Sequence, residues 1–276
     1  MILPDLLLSS RASQIWESSG LDHINECLDK DHFLSYPHKI TYCYNSRGFR
    51  DQEWPVSESE LKNAIWCVGD SFTVGLGSPL LHTWPSRLAE LSNRRTINVS
   101  MDGASNEWIA RTAQSIVNSI CPMHMVIMWS YTHRRELNDV TLNVENRRLF
   151  STNTSVTEDL DNLLECKKKI DSKIECMQFI VPGALPDVNV CWKSIAAPNW
   201  PSCPGSLAEL ANLPLWILSE IQNLHNCLDE IDRSLRIQNL LNFLPVEQQD
   251  WARDGHHFDL ITAEWVATQA MIQLSR

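Results

Sequence analysis

An α/β fold built from parallel βαβ units is supported by three features of this sequence taken together. Short apolar runs, Ala64–Val68, Thr96–Ser100, Met123–Trp129 and Ile174–Val181, have the length and composition of strands buried on both faces. Longer stretches with apolar residues at helical spacing separate several of them, and regular alternation of strand and helix is the pattern of a parallel sheet. The first run stops abruptly at Gly69-Asp70-Ser71-Phe72-Thr73-Val74-Gly75-Leu76-Gly77, a small, polar, glycine-flanked turn. Ligands bind at the carboxyl ends of strands in open α/β sheets, so Ser71 lies where chemistry is usually found.

A chain of 276 residues can form one large α/β domain or two small ones. With 43% hydrophobic and 21% charged residues it is an ordinary globular chain rather than a disordered or membrane-spanning one. The net charge of -11 argues against a general nucleic-acid binder, because phosphate neutralisation needs clustered Lys and Arg. The one basic run, Lys167-Lys168-Lys169, reads as a solvated helix face. Met1–Ser10 contains the apolar Leu6-Leu7-Leu8, but no basic segment precedes it and it is too short for a secretory core or a membrane span. A cytoplasmic protein is therefore expected. The 9 cysteines contain no Cys-x-x-Cys pair, which points to reduced thiols rather than a disulfide framework or a zinc knuckle. The 11 tryptophans read first as large apolar fillers, although near a cleft such rings also bind sugars or acyl groups.

Residues 1–60 follow neither period cleanly and are expected to form an N-terminal extension packed on the core of a main domain at 61–276. Within the extension, Leu21–Lys30 reads as a short helix and Lys39–Tyr44 as a strand. The turn Asn45–Asp51 has an Asn and a Gly suited to left-handed backbone. After the Ser71 turn, Trp84–Leu91 is helical, with Pro85 tolerated in its first turn. Ser105 then caps a helix running to about Ile120, with the apolar stripe Trp108, Ile109, Ala113, Ile116 and Val117. Asn138–Val156 is polar and reads as irregular, whereas Thr157–Ile170 reads as a helix whose acidic start and basic end suit its dipole. Ala184–Pro204 reads as a long excursion, either a substrate lid or a merely decorative loop. Leu207–Leu235 holds one or two helices broken at Leu213-Pro214, Ile237–Leu244 is a candidate fifth strand, and Ile261–Leu274 is a closing amphipathic helix.

A serine hydroxyl is a weak nucleophile and needs a base, itself oriented by a third group. Ala252-Arg253-Asp254-Gly255-His256-His257-Phe258 can supply both. In a turn, an aspartate can reach the ring of a histidine three residues later and fix its tautomer, leaving the other ring nitrogen for the serine.

Gly69-Asp70-Ser71 together with the distant Asp254-x-x-His257 resembles the GDSL or SGNH hydrolases, over about residues 62 to 274. The resemblance implies a three-layer α/β/α, flavodoxin-like fold with a mainly parallel sheet of about five strands. It implies Ser71 as nucleophile, His257 as general base and acid and Asp254 as its orienter, with no metal or organic cofactor. In the family's second block a glycine N–H binds the oxyanion, and Val99-Ser100-Met101-Asp102-Gly103-Ala104-Ser105-Asn106 matches it, giving that role to Gly103 beside the N–H of Ser71. The third block normally carries a Gly-x-Asn-Asp asparagine as a further donor. Here Ser130-Tyr131-Thr132-His133-Arg134-Arg135-Glu136 departs from it and puts Thr132 in that place. Losing such a donor outright costs about two to three orders of magnitude in turnover. The implied activity is hydrolysis of carboxylic, short-chain acyl esters on a small molecule or a glycan. An acyltransferase on the same fold and a non-catalytic binding or structural module are the alternatives.

Each of these residues also has a simpler structural role open to it. Ser71 could be no more than a helix cap, and Asp70 is expected to bond local backbone groups. His256 lacks the family spacing that His257 has. Asp254, His256, His257 and Asp259 are metal-ligand types, but no second cluster stands at a recognisable spacing. Gly75-x-Gly77 lacks the third glycine of a dinucleotide loop, position 80 being leucine. His133, Arg134 and Arg135 would either hold a substrate anion or form a solvated edge paired with Glu136.

Overall fold

The strand that leads to Ser71 is buried at every position and is hydrogen-bonded on both sides to parallel neighbours. The computed structural model describes residues 6, 8, 11–17, 22, 24, 30–131, 134–137, 140–142, 156–171, 176–181 and 250–274. In chain order the elements begin with β1 (Ile15–Glu17), α1 (Lys30–Ser35), β2 (Thr41–Cys43), α2 (Glu58–Asn63), β3 (Ile65–Gly69) and α3 (Ser71–Val74). They continue with α4 (Trp84–Ser92), β4 (Thr96–Ser100), α5 (Asn106–Ile120), β5 (His124–Trp129), β6 (Arg135–Leu137) and β7 (Val140–Leu142). The remaining elements are α6 (Val156–Asp171), β8 (Met177–Ile180) and α7 (Leu260–Leu274).

The main sheet has the order β4-β3-β5-β8, every pair parallel. Parallel crossovers are right-handed. The chain therefore moves outward from β3 to β4 through α4 on one face and returns over β3 to β5 through α5 on the other. The packing agrees: α4 lies against β4 and α7, while α5 lies against β3, β5 and α6. The result is an α/β fold with helices on both faces of the sheet. Four strands are described in this sheet, where about five were expected. The fifth candidate, residues 237–244, lies outside the described residues, as do the excursion at 184–204 and the helices expected at 207–235.

Local chemistry explains the helix boundaries. Thr83 caps α4 by accepting from Ser86 N–H, Pro85 sits in the first turn, and Asn93 ends the helix in left-handed backbone at φ 49. Ser105 caps α5 by accepting from Trp108 N–H at 3.1 Å, and Ile109, Ala113, Ile116, Val117 and Ile120 form its buried face. Ala263, Val266, Ala267 and Ala270 of α7 are buried, and Arg87 of α4 donates to the fully buried Glu264 at 2.5 Å.

Several short elements are too brief for a residue period to repeat. Glu58–Asn63 forms helix α2, capped by Ser57. The segment read as irregular contains β7, which pairs antiparallel with β6 and whose β-branched Val140 and Thr141 carry the strand preference. In the first 60 residues β1 pairs antiparallel with β2, and the helix lies at Lys30–Ser35. Most of the Leu21–Lys30 stretch expected to be helical is outside the described residues. Phe49 stacks on Trp54 at 5.6 Å, and Trp54 meets Trp66 of β3 edge-on at 5.3 Å, so this part of the chain shares the main core. No helix among the described residues is long and apolar enough to cross a membrane.

Candidate active site

Ser71 is the first residue of α3, a single helical turn that starts directly after β3. The cap of that turn is Asp70, whose carboxylate accepts from Phe72 N–H at 3.1 Å. Ser71 is thus not the cap, and its hydroxyl is not spent on the backbone. Gly75 ends the turn in left-handed backbone at φ 75, with its N–H donating to Ser71 C=O. The serine is 1% exposed.

The structure brings the two distant stretches together. His257 Nε2 stands 2.8 Å from Ser71 Oγ, and His257 Nδ1 stands 2.6 Å from Asp254 Oδ2. A carboxylate can only accept, so Nδ1 carries the proton and the Nε2 lone pair faces the serine hydroxyl. The other Asp254 oxygen accepts from the N–H groups of His256 and His257, both at 3.0 Å. Gly255, at φ 68, turns the chain between them, while Ala252 N–H donates to His257 C=O and closes the loop.

Burial and charge set the proton affinities in opposite directions. Burial pushes Asp254 up, but the His257 charge and three hydrogen bonds outweigh it and hold the carboxyl low, at about 2. Burial pulls His257 down, yet Asp254, then Asp70 and Asp102, raise it above its ordinary value. His256 is held at about 4, first by the loss of water around its ring and then by its charged neighbour His257. Its outer surface stays exposed, and its ring packs on Tyr131, with Nε2 3.3 Å from the phenol oxygen.

Gly103 follows β4 in left-handed backbone at φ 70. Among the described residues neither its N–H nor that of Ser71 has a hydrogen-bond partner. Thr132 and His133 lie outside the described residues.

Three connections were not anticipated. Asp70 does bond local backbone, as expected, but its second oxygen also accepts from Ser130 Oγ at 2.6 Å and from Arg134 Nη1 at 3.0 Å. Arg134 is therefore neither a free anion site nor a partner of Glu136, which pairs instead with Arg111 at 2.7 Å and 2.9 Å. Asn106, the last residue of the matched second block, accepts from Ser130 N–H at 2.8 Å and ties α5 to the end of β5. Phe72 packs on His257 at 4.5 Å and on Phe258 at 5.3 Å, giving the base a ring wall. Of the four considered as metal ligands, Asp259 is engaged elsewhere, with His82 Nδ1 at 2.9 Å and Tyr36 Oη at 2.5 Å. Among the described residues no group of three or more His, Cys, Asp or Glu side chains is arranged so that it could hold a metal ion. Arginine at 134 is six residues beyond Met128 in a polar stretch, and nothing in its spacing points back to Asp70.

No protein-family model and no curated protein matches the sequence. Solved structures similar to this chain include a lipase/acylhydrolase from Enterococcus faecalis, at 14% identity and TM-score 0.39 over 77% of this chain and 95% of that one. A member of the lipolytic G-D-S-L family from Veillonella parvula is 15% identical, with TM-score 0.39, over 77% of this chain and 98% of that one. TesA is 15% identical, with TM-score 0.41, over the same shares of 77% and 98%. Likeness of this degree carries no assignment of activity, which is read instead from this chain's own atoms.

Proposed function

We propose that this chain is a serine hydrolase that cleaves carboxylic esters through an acyl-enzyme. The observation that carries the reading is the 2.8 Å approach of His257 Nε2 to Ser71 Oγ, made while Nδ1 of the same ring is held by Asp254 at 2.6 Å. Nucleophile, base and orienter within hydrogen-bond reach of one another are what acyl transfer to a serine requires.

In the proposed reaction His257 Nε2 takes the Ser71 proton as Oγ bonds to the ester carbonyl carbon. The carbonyl oxygen becomes an oxyanion that the N–H groups of Ser71 and Gly103 are free to bind. The imidazolium, stabilised by Asp254, returns the proton to the departing alcohol oxygen as the carbon–oxygen bond breaks. Water then attacks the acyl-enzyme, giving its proton to His257, and the acid leaves as Ser71 is restored. Asp254, with a low proton affinity, stays ionised throughout.

A fluorophosphonate probe tests the reading. Wild type is expected to be labelled and to release p-nitrophenol from p-nitrophenyl acetate, while Ser71→Ala does neither. Labelling that persists in Ser71→Ala, or fails in wild type, defeats it. A panel of p-nitrophenyl esters of increasing acyl length then tests the short-chain preference.

A further inference from the structure

The turn that carries Asp254 and His257 is gripped from outside by the N-terminal part of the chain. Arg253 Nε donates to Asp22 Oδ2 at 2.8 Å, and the two side chains are 8% and 0% exposed. The other Asp22 oxygen accepts from Tyr42 Oη at 2.7 Å, and that phenol oxygen accepts from Gly77 N–H at 2.9 Å. Gly77 C=O accepts in turn from Arg253 N–H at 2.8 Å. The ring of bonds is closed: it runs from Arg253 to Asp22, Tyr42, Gly77 and back. On one side it holds the loop that follows the Ser71 helix, and on the other the residue immediately before Asp254. Helix α1 adds two contacts, His32 Nε2 donating to Ala252 C=O at 2.9 Å and the Phe33 ring lying 4.7 Å from the Arg253 guanidinium.

A buried ion pair adds little stability over apolar side chains of the same volume, because desolvation offsets its attraction. What this pair adds is direction. Its hydrogen bonds fix one register between two loops, and each loop carries part of the site. Asp254 must hold His257 at 2.6 Å while His257 holds Ser71 at 2.8 Å, so a slip between the loops is felt in both distances. Misplacement of about 1 Å costs up to roughly a hundredfold in rate.

We infer that Arg253, fixed by Asp22, is a positioning residue that registers the Asp254–His257 turn against the Ser71 turn, making the N-terminal segment a working part of the site. The kinetic arm of the test rests on the ester-hydrolase reading, but the spectroscopic arm does not.

The ring protons of His257 are followed by NMR titration in the full chain, in wild type, Asp22→Asn and Arg253→Gln. The charged and titratable groups that face His257 are Asp254, Asp70, Asp102 and His256, and neither substitution removes any of them. A loosened Asp254 supports the imidazolium less, so the His257 midpoint is expected to fall by about half a pH unit or more in both variants. With p-nitrophenyl acetate, kcat is expected to fall about tenfold while KM stays within about twofold. Because the two residues act through one bond, the double variant should be no slower than the slower single. A His257 titration identical to wild type in a folded variant overturns the inference, as do kcat losses that multiply in the double variant. If wild type leaves the ester intact, the hydrolase reading fails, and the titration still decides the positioning role. Should Arg253→Gln lose its cooperative thermal transition, Tyr42→Phe, which deletes a single oxygen from the ring of bonds, is measured in the same way.

Discussion

Gly77 and Asp254 are packed so closely that a methyl group on Gly77 would lie 3.0 Å from the Asp254 carboxyl carbon and 2.9 Å from Ala252 Cβ. Gly77 also has φ +73, where a side chain costs about 1–2 kcal/mol. Gly77→Ala is therefore expected to lower unfolding stability by about 2 kcal/mol in urea. It should also cut kcat about tenfold or more, since relief of the clash moves Asp254. Normal kcat in a destabilised Gly77→Ala would show that the crowding is relieved away from Asp254.

Behind the serine, Asp70 is fully buried and its charge is met by Arg134, itself 15% exposed on the side chain. Removing one member of such a pair costs about 3 kcal/mol, because the other charge stays buried without compensation. Arg134→Met should lose about that much stability at neutral pH, measured by urea unfolding. Burial, the largest influence on Asp70, already raises its proton affinity, and Arg134 opposes this. In the variant the folded carboxyl binds its proton more tightly still. Its unfavourable burial is relieved once it is protonated, so the loss relative to wild type should shrink as the pH is lowered. A deficit that is flat with pH would mean that Arg134 acts through packing on Tyr131, 4.9 Å away, rather than through Asp70.

Arg50 is buried at 1% exposure, with Nη1 donating to Val74 and Gly75 C=O at 3.1 Å and 2.5 Å and Nη2 donating to Ser78 C=O at 2.9 Å. Its guanidinium also lies 4.3 Å from the Tyr42 ring. These carbonyls belong to the end of the Ser71 helix and the loop after it, and a planar fork reaches them where a point charge does not. Arg50→Lys should destabilise by about 2 kcal/mol or more, since carbonyls are left unsatisfied in a dry site. Calorimetry of the thermal transition measures it, and an unchanged midpoint would mean that water replaces the missing donors.

The legible parts of this molecule were those with a short-range code. Strands β3 and β4 read directly from buried apolar runs, Ser105 from its capping chemistry, and Asp254 with His257 from their spacing of three. Arg253 with Asp22, Arg134 with Asp70 and Arg50 with the 74–78 carbonyls are separated by long stretches of chain and obey no period. Each is a single charged residue whose partner is chosen by tertiary packing, which is why the same Arg134 could be assigned in the sequence to Glu136. The helical nature of Ser71–Val74 was hidden for the opposite reason. One turn is too short for a 3.6-residue pattern to repeat, so only the Asp70 cap and the left-handed Gly75 reveal it.

The pH dependence of the proposed reaction follows from the pair at its centre. Burial alone would lower the proton affinity of His257, but the charge and hydrogen bond of Asp254, helped by Asp70 and Asp102, raise it above 6.5. A general base must be neutral, so kcat/KM should fall as the pH drops through that raised value, with the acidic limb displaced upward from the ordinary histidine value. Asp254→Asn keeps the shape of the orienter and removes its charge. The His256 and His257 N–H groups claim the one remaining oxygen, the amide NH2 faces Nδ1 and favours the wrong tautomer, and kcat should fall about ten-thousandfold. With burial no longer opposed by Asp254, the residual activity should show its acidic limb at lower pH than wild type. Stability obeys the same linkage. The raised His257 contributes stability that is fully present below its unfolded value and lost as pH rises through its folded one. Asp254, held at about 2, contributes stability that is present above 3.8 and lost as the pH falls toward 2. Rate profiles and urea unfolding of wild type and Asp254→Asn across pH measure both effects. An acidic limb that stays in place when Asp254 loses its charge would show that another group, not His257, is the base.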